Sequence, residues 1–173
     1  HQKDTVKLVA AGRLVDVKGF DILIEAISIW ANPLSHLIIL GEGPLIDSLR
    51  KQAQTLGVLK HITFAGFQRN PYPFFAQADA FILSSRYEGF PNVVIEALAC
   101  GTPVIATPAP GGVKEILDGV RGCQIAETLD ANGLAQAFTK FERNIKPNET
   151  CVDAYRLDYI VNLYEKELLE PNL

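Results

Sequence analysis

Residues 80–106 read AFILSSRYEGFPNVVIEALACGTPVIA. Ala80–Leu83 is a short run without a polar residue, as in a strand buried in a sheet. Residues 91–100 form a helical stretch with proline in its first turn and Gly101 just past its end, the usual start and stop signals. Val104–Ala106 is a second apolar run of strand type. Strand, loop, helix and strand in this order predict a parallel sheet.

The same alternation extends outward in both directions. On the amino side, Val6–Ala11 reads as a strand ended by Gly12. Residues 18–31 carry Phe20, Leu23, Ile24, Ile27 and Trp30 at the spacing of an amphipathic helix, which Asn32-Pro33 stops. Residues 37–40 (LIIL) are a second strand, Gly41-Glu42-Gly43-Pro44 a turn, and 45–56 a helix closed by Gly57. A third strand over 62–65 leads to a loop at Asn70-Pro71-Tyr72-Pro73 and a short helix. On the carboxyl side come a short helix over 113–117, a strand near 123–126, and helices near 129–143 and 152–169. The expected fold is α/β: a Rossmann-like parallel sheet with helices on both faces, in a single domain over residues 1–173.

Composition narrows the function classes. The chain has 173 residues, 48% hydrophobic and 21% charged, a balance that argues against disorder. Its net charge of −4 leaves no broad basic footprint for nucleic acid. No stretch approaches the roughly 20 consecutive apolar residues of a membrane span. Cys100, Cys123 and Cys151 are odd in number and form no C-x-x-C pair, so they read as reduced core thiols of a cytoplasmic protein, not as a disulfide framework or zinc site. His36 and His61 stand beside apolar runs and read as strand-edge residues. The chain opens on His1 and contains no methionine, as a piece of a longer protein would.

In such sheets ligands gather at the carboxyl ends of the strands. That places chemistry in segments 12–19, 41–44, 65–70, 84–92 and 107–112, where Gly, Pro, Arg and Glu concentrate. In GRLVDVKGF, Arg13 and Lys18 bracket a loop that ends at a helix amino terminus. A forked guanidinium and a point-charge ammonium beside free helix amides suit a diphosphate. Taken by itself, that string is explained better by two solvated surface cations. The turn at 41–44 lacks the third small residue and the later acid of a dinucleotide fingerprint, so its glycines either admit a ligand to the backbone or simply make the turn. Glu88, in the loop after the 80–83 strand, and Glu96, eight positions on, are acceptor-only carboxylates suited to sugar hydroxyls or a ribose diol. Amides near Phe90–Val93 open the helix and can hold a phosphate or sugar oxygen.

The string E-G-F-P-N-V-V-I-E, continued by E-A-x-A-x-G-x-P-V-I-A from Glu96, resembles the donor-site motif of glycosyltransferase family 4. The G-R-L…K-G segment, the G-x-G-P turn, F-x-G at 64–66 and D-x-F-x-L-x-S at 79–85 follow in that family's order, over about residues 5–120. The resemblance implies a GT-B fold and a retaining transfer from a nucleotide sugar such as a UDP- or GDP-hexose. It implies that Arg13, Lys18 and Glu88 are catalytic. Gly12, Arg13, Lys18, Glu88, Gly89, Phe90, Pro91, Asn92, Val93 and Glu96 would bind the donor, with Glu88 on the hexose, Glu96 on the ribose and segment 65–69 beside the base. No cofactor or metal is expected, and no D-x-D motif occurs. The chain would be the carboxyl-terminal donor half, with a glycan or lipid-linked acceptor held by an absent amino-terminal domain. The full-length enzyme would sit in the cytoplasm, in peripheral contact with the membrane, building bacterial polysaccharide or lipopolysaccharide. Two rivals are a UDP-sugar 2-epimerase-like domain and a non-catalytic nucleotide-binding module.

Overall fold

The computed structural model describes residues 5–156. Six parallel strands form one sheet in the order β3-β2-β1-β4-β5-β6: β1 Val6–Ala11, β2 Ser35–Leu40, β3 Ile62–Gly66, β4 Ala80–Leu83, β5 Val104–Ala106 and β6 Gln124–Ile125. The register pairs Val9 of β1 with Ile38 of β2 on one side and Phe81 of β4 on the other. The central strands are apolar on both faces because helices cover both.

α1 Phe20–Trp30, α2 Ile46–Thr55 and α6 Ala131–Lys140 lie on one face. Their buried stripe includes Leu23, Ile27, Leu49, Ala53, Leu134 and Phe138. Trp30 of α1 meets Phe138 of α6 at a 5.3 Å ring separation. α3 Tyr72–Gln77, α4 Asn92–Ala99 and α5 Val113–Leu117 cover the other face around Phe75, Phe81, Val94, Leu98 and Ile116. Phe75 and Phe81 stack edge to face at 5.2 Å, both fully buried.

Each predicted strand and helix is present up to Lys140, with ends moved by at most three residues. The helix expected from residue 18 begins at Phe20, because residues 16–18 form a 3-10 turn closed by Gly19 in the left-handed region. Of the helix expected over 152–169, residues 152–155 belong to a 3-10 helix, Glu149–Tyr155, packed on α4, and residues 157–169 lie outside the described part. The three cysteines are free and half-buried, less enclosed than core thiols. Burial raises the Cys123 thiol to about 11, and Cys123 Sγ accepts from the Val104 amide. His36 Nε2 lies 2.8 Å from Thr63 Oγ1 across β2 and β3. No helix among the described residues is long and apolar enough to cross a membrane.

Candidate functional site

β1 and β4 are neighbours at the point where the strand order reverses. Their following loops diverge, 12–19 into α1 on one face and 84–91 into α4 on the other. A crevice at the carboxyl ends of such a strand pair is the general ligand position in open α/β sheets.

The two loops are cross-linked. Lys18 Nζ donates to Glu88 Oε1 at 2.7 Å, and Ser85 Oγ donates to the same oxygen. Glu88 is buried, at 7% exposure, so its charge is matched at once by an ammonium and a hydroxyl. Ser84 Oγ donates to the Lys18 carbonyl at 2.9 Å, and the Arg86 amide donates to the Val17 carbonyl at 2.8 Å. Arg86 forks onto the Asp21 carboxylate and also reaches the Asp16 carbonyl at 2.7 Å. That guanidinium holds the Asp21 carboxyl below its usual range.

Two glycines make the approach possible. A Cβ on Gly19 would stand 2.0 Å from the Ser84 carbonyl oxygen, and one on Gly111 would stand 1.6 Å from that of Glu88. Gly19 has φ +61° and Gly111 φ +113°, conformations that L side chains rarely adopt. From the third side, the Glu88 amide donates to the Pro110 carbonyl, the Gly112 amide to the Gly89 carbonyl, and Thr107 Oγ1 to the Ser85 carbonyl at 2.6 Å. Loop 84–91 is thus held between the loops that follow β1 and β5.

At the mouth of α4, the amides of Gly89, Phe90 and Val93 have no backbone acceptor among the described residues. They are orphan donors at a helix start, where anions are favoured. The helix is short, so the amides matter here together with the adjoining cation. The Phe90 ring packs against Tyr155 at 5.7 Å.

The sequence-predicted residues separate into groups. Lys18 and Glu88 touch, and Gly89–Val93 adjoin them along the chain. Gly12 lies beside the aliphatic stem of Lys18. Arg13 is exposed and lines a cavity of about 360 Å³ with Gly12, Glu42, Phe67 and Gln68. Glu96 is half-buried on α4, and its carboxylate makes no hydrogen bond or ion pair with another described residue. Segment 65–69 borders two cavities: Phe67 and Gln68 line that one, and Ala65 and Gly66 a neighbouring one with Glu42 and Arg50. At 41–44 the glycines serve the turn. A Cβ on Gly41 would meet the Gly12 carbonyl oxygen at 2.0 Å, and one on Gly43 the Leu14 carbonyl oxygen at 2.4 Å. Among the described residues, no three His, Cys, Asp or Glu side chains gather in a metal-binding group. Sequence reasoning missed Asp21, and it reached Ser85, Arg86, Thr107 and Gly111 only as members of segments 84–92 and 107–112, because their individual parts depend on contacts between loops.

Residues 1–157 match the family described as glycosyl transferases group 1. The chain belongs to that family. It is 40% identical over 135 residues to the lipopolysaccharide core biosynthesis glycosyltransferase LpsE of Rhizobium meliloti, a match covering 78% of this chain and 39% of that protein. Over 145 residues it is 35% identical to the GDP-mannose-dependent alpha-(1-6)-phosphatidylinositol monomannoside mannosyltransferase of Mycolicibacterium smegmatis, covering 78% and 38% of the two chains. Anabaena HepE, solved with UDP-glucose, superposes with a TM-score of 0.78 at 26% identity, over 95% of this chain and 48% of that one. Staphylococcus aureus TarM superposes at 0.81 with 18% identity, over 96% and 36%, which bears on the fold alone. This group 1 glycosyltransferase chain therefore has the Rossmann-like architecture of GT-B enzymes. It spans about two fifths of the length of LpsE and just under half of HepE.

Proposed function

We propose that this chain binds the nucleotide-sugar donor of a retaining glycosyltransferase. The whole enzyme would move a hexose from a nucleoside-diphosphate sugar to a glycan or lipid-linked acceptor in bacterial polysaccharide or lipopolysaccharide biosynthesis. The observation that carries this is the Lys18–Glu88 pair, set beside the orphan amides of α4 at the strand-order reversal. LpsE, a lipopolysaccharide core glycosyltransferase, and HepE, solved with UDP-glucose, support the acceptor pathway and the donor class.

In this reading the anomeric carbon–oxygen bond to the diphosphate breaks, its electron pair leaves with the phosphate oxygen, and the acceptor hydroxyl oxygen forms the new bond to that carbon while its proton passes to the departing phosphate oxygen. Lys18 and Arg13 stabilise the charge that develops there, with the α4 amides behind them. They take the part a metal ion would otherwise play. Glu88, an acceptor already oriented by Ser85, receives hydrogen bonds from the hexose hydroxyls and fixes the ring for attack. Glu96, whose carboxylate has no hydrogen-bond partner among the described residues, receives the ribose diol, and segment 65–69 borders the base. A second domain, in peripheral contact with the membrane, holds the acceptor across the cleft.

Titrating the chain with UDP, GDP and ADP, their hexose conjugates and the bare nucleosides, by ligand-detected NMR, tests this. Half a cleft should bind a donor at about −4 to −6 kcal/mol, from high-micromolar to millimolar, and should transfer nothing. Nucleosides binding as well as their diphosphates would refute the reading.

A further inference from the structure

We infer that Arg86, acting through Asp21, is a positioning residue that holds Lys18 against Glu88. The inference deepens the donor-site reading and rests on it only for the purpose of the pair, not for the geometry.

Lys18 and Glu88 come from loops 70 positions apart in sequence, one leading to each face of the sheet. A lysine ammonium sits on a flexible stem and cannot define its own position. Something must fix the base of that stem against the loop carrying Glu88. The Arg86–Asp21 pair is placed to do so: Asp21 stands three residues after Lys18, and Arg86 two before Glu88. One fork therefore brackets both ends of the Lys18–Glu88 contact. It is reinforced on the same side by Arg86 Nη1 to the Asp16 carbonyl, the Arg86 amide to the Val17 carbonyl and Ser84 Oγ to the Lys18 carbonyl. Three consecutive carbonyls, of residues 16–18, are thus gripped from the β4 loop. The guanidinium is only one-third exposed, at 32%. Its five donors in a rigid plane can hold a carboxylate and a carbonyl together, which an ammonium cannot. The expected consequence is specific: loss of the fork frees Lys18 and leaves the rest of the fold in place.

The test compares Arg86→Gln, Arg86→Lys, Asp21→Asn and the exchange Arg86→Asp with Asp21→Arg, in the 173-residue chain. The first readout needs no ligand. Acetylation of Lys18 by N-hydroxysuccinimide acetate is followed by peptide mass spectrometry, with the ion-paired Lys140 as internal reference. Each single variant should raise the Lys18 rate about fivefold relative to Lys140, the size expected for losing an ion pair of about 1 kcal/mol. Arg86→Lys should behave like Arg86→Gln, because it keeps the charge and loses the fork. The exchange should restore protection. The second readout is UDP affinity, which should fall about as much in each single variant and recover in the exchange.

Unchanged Lys18 labelling in a folded Arg86→Gln or Asp21→Asn chain overturns the inference. So does labelling that rises at Lys18 and Lys140 alike with a lowered Tm, which marks general loosening. If UDP binds neither wild type nor variants, the donor reading fails while Lys18 labelling still decides the positioning role.

Discussion

The loops leaving β1 and β4 and those leaving β2 and β3 stand along one edge of one sheet, yet they are held very differently. The first pair is joined by the Lys18–Glu88 and Arg86–Asp21 ion pairs and closed from behind by Thr107, Pro110 and Gly112. Along the second pair, backbone contacts fix the 41–44 turn, but Phe67 is 70% exposed and Arg69 projects into solvent. Glu42 reaches the Phe67 amide only at 3.5 Å. In the proposed donor orientation the cross-linked part handles the sugar and diphosphate, where a displaced atom costs rate. The looser part meets the base, where tolerance costs little. Substitutions in the two regions should separate in both size and kind.

The largest effect belongs to Gly111→Ala. The added carbon would fall inside the Glu88 carbonyl at a φ that alanine avoids, so backbone must move. A loss of about 3 kcal/mol or more in unfolding free energy is expected, from strain and overpacking together. Urea denaturation measures it; a change under about 1 kcal/mol would mean that the β5 loop does not brace Glu88.

Next in size is Lys18→Ala, which removes one partner of a pair whose other member is buried. Nucleoside-diphosphate affinity should fall by about 1.5–3 kcal/mol, the range for hydrogen bonds to charged groups, while the nucleoside is unaffected. Arg13→Ala should act in the same direction on affinity but leave stability unchanged, because Arg13 is exposed. Calorimetric titration of UDP and uridine against both variants makes the comparison.

How much of this edge was legible in the sequence follows the same division. β4 and β5 are continuous apolar runs and β1 is interrupted only by the exposed Lys7; helices on both faces require such runs, so the pattern alone marked their bounds. Lys18 and Glu88 stood out because local strings carry them at strand ends. Asp21 and Arg86 did not, since an aspartate in the first turn of a helix is fully explained by the helix dipole. Only the adjacency of β1 and β4 brings that aspartate to its partner 65 positions away. Ser85 and Thr107 fell within segments 84–92 and 107–112, but no local string named their partners, for the same reason. The segment after Lys140 was the least legible: Glu149–Tyr155 folds as a 3-10 helix against α4, a tertiary choice that periodicity does not encode.

The two glutamates give the third comparison. Glu88 is paired and buried, and Glu96 is half-buried with no side-chain hydrogen bond or ion pair among the described residues. Glu88→Gln removes the carboxylate that draws on Lys18, so bare UDP should bind as well as before or slightly better, and the extra affinity from the hexose should drop by about 1 kcal/mol. Glu96→Gln should weaken UDP and its sugar conjugate equally. If Glu88→Gln abolishes bare-nucleotide binding and Glu96→Gln spares it, the donor lies the other way round.

A smaller effect is expected from acid. Arg86 depresses the folded-state pKa of Asp21 below 3.8. A carboxyl shifted this way stabilises the fold at all pH above its unfolded value and loses that contribution as pH falls through the lower folded value. The Arg86–Asp21 contribution should therefore be present at pH 7 and fade below about pH 4, where the unfolded carboxyl begins to protonate. A double-mutant cycle of Arg86→Gln with Asp21→Asn should show a coupling under about 1 kcal/mol at pH 7. A coupling that persisted undiminished at pH 2 would mean the ion pair is not its source.

The smallest effect on stability, and the one that best isolates the looser rim, is Phe67→Ala. The ring is 70% exposed and buries little, so unfolding free energy should change by no more than about 0.5 kcal/mol. Its position is what matters, because it belongs to segment 65–69, proposed to border the base, and with Gln68, Arg13 and Glu42 lines the cavity of about 360 Å³. An aromatic face stacks on any nucleobase through its π surface, at about 1–3 kcal/mol per base in single-stranded nucleic-acid sites. A purine presents the larger face. Removing the ring should therefore weaken GDP and ADP more than UDP and narrow any preference among them, without touching the increment from the sugar. Glu88→Gln makes the opposite pattern, with the base preference kept and the sugar increment reduced. Titrating UDP, GDP, ADP and the matching hexose conjugates against both variants sets the two patterns side by side. Equal losses for all three nucleotides in Phe67→Ala would remove the ring from the base site. A loss confined to the sugar conjugates would instead move the hexose to the β3 rim and invert the comparison from which the prediction starts.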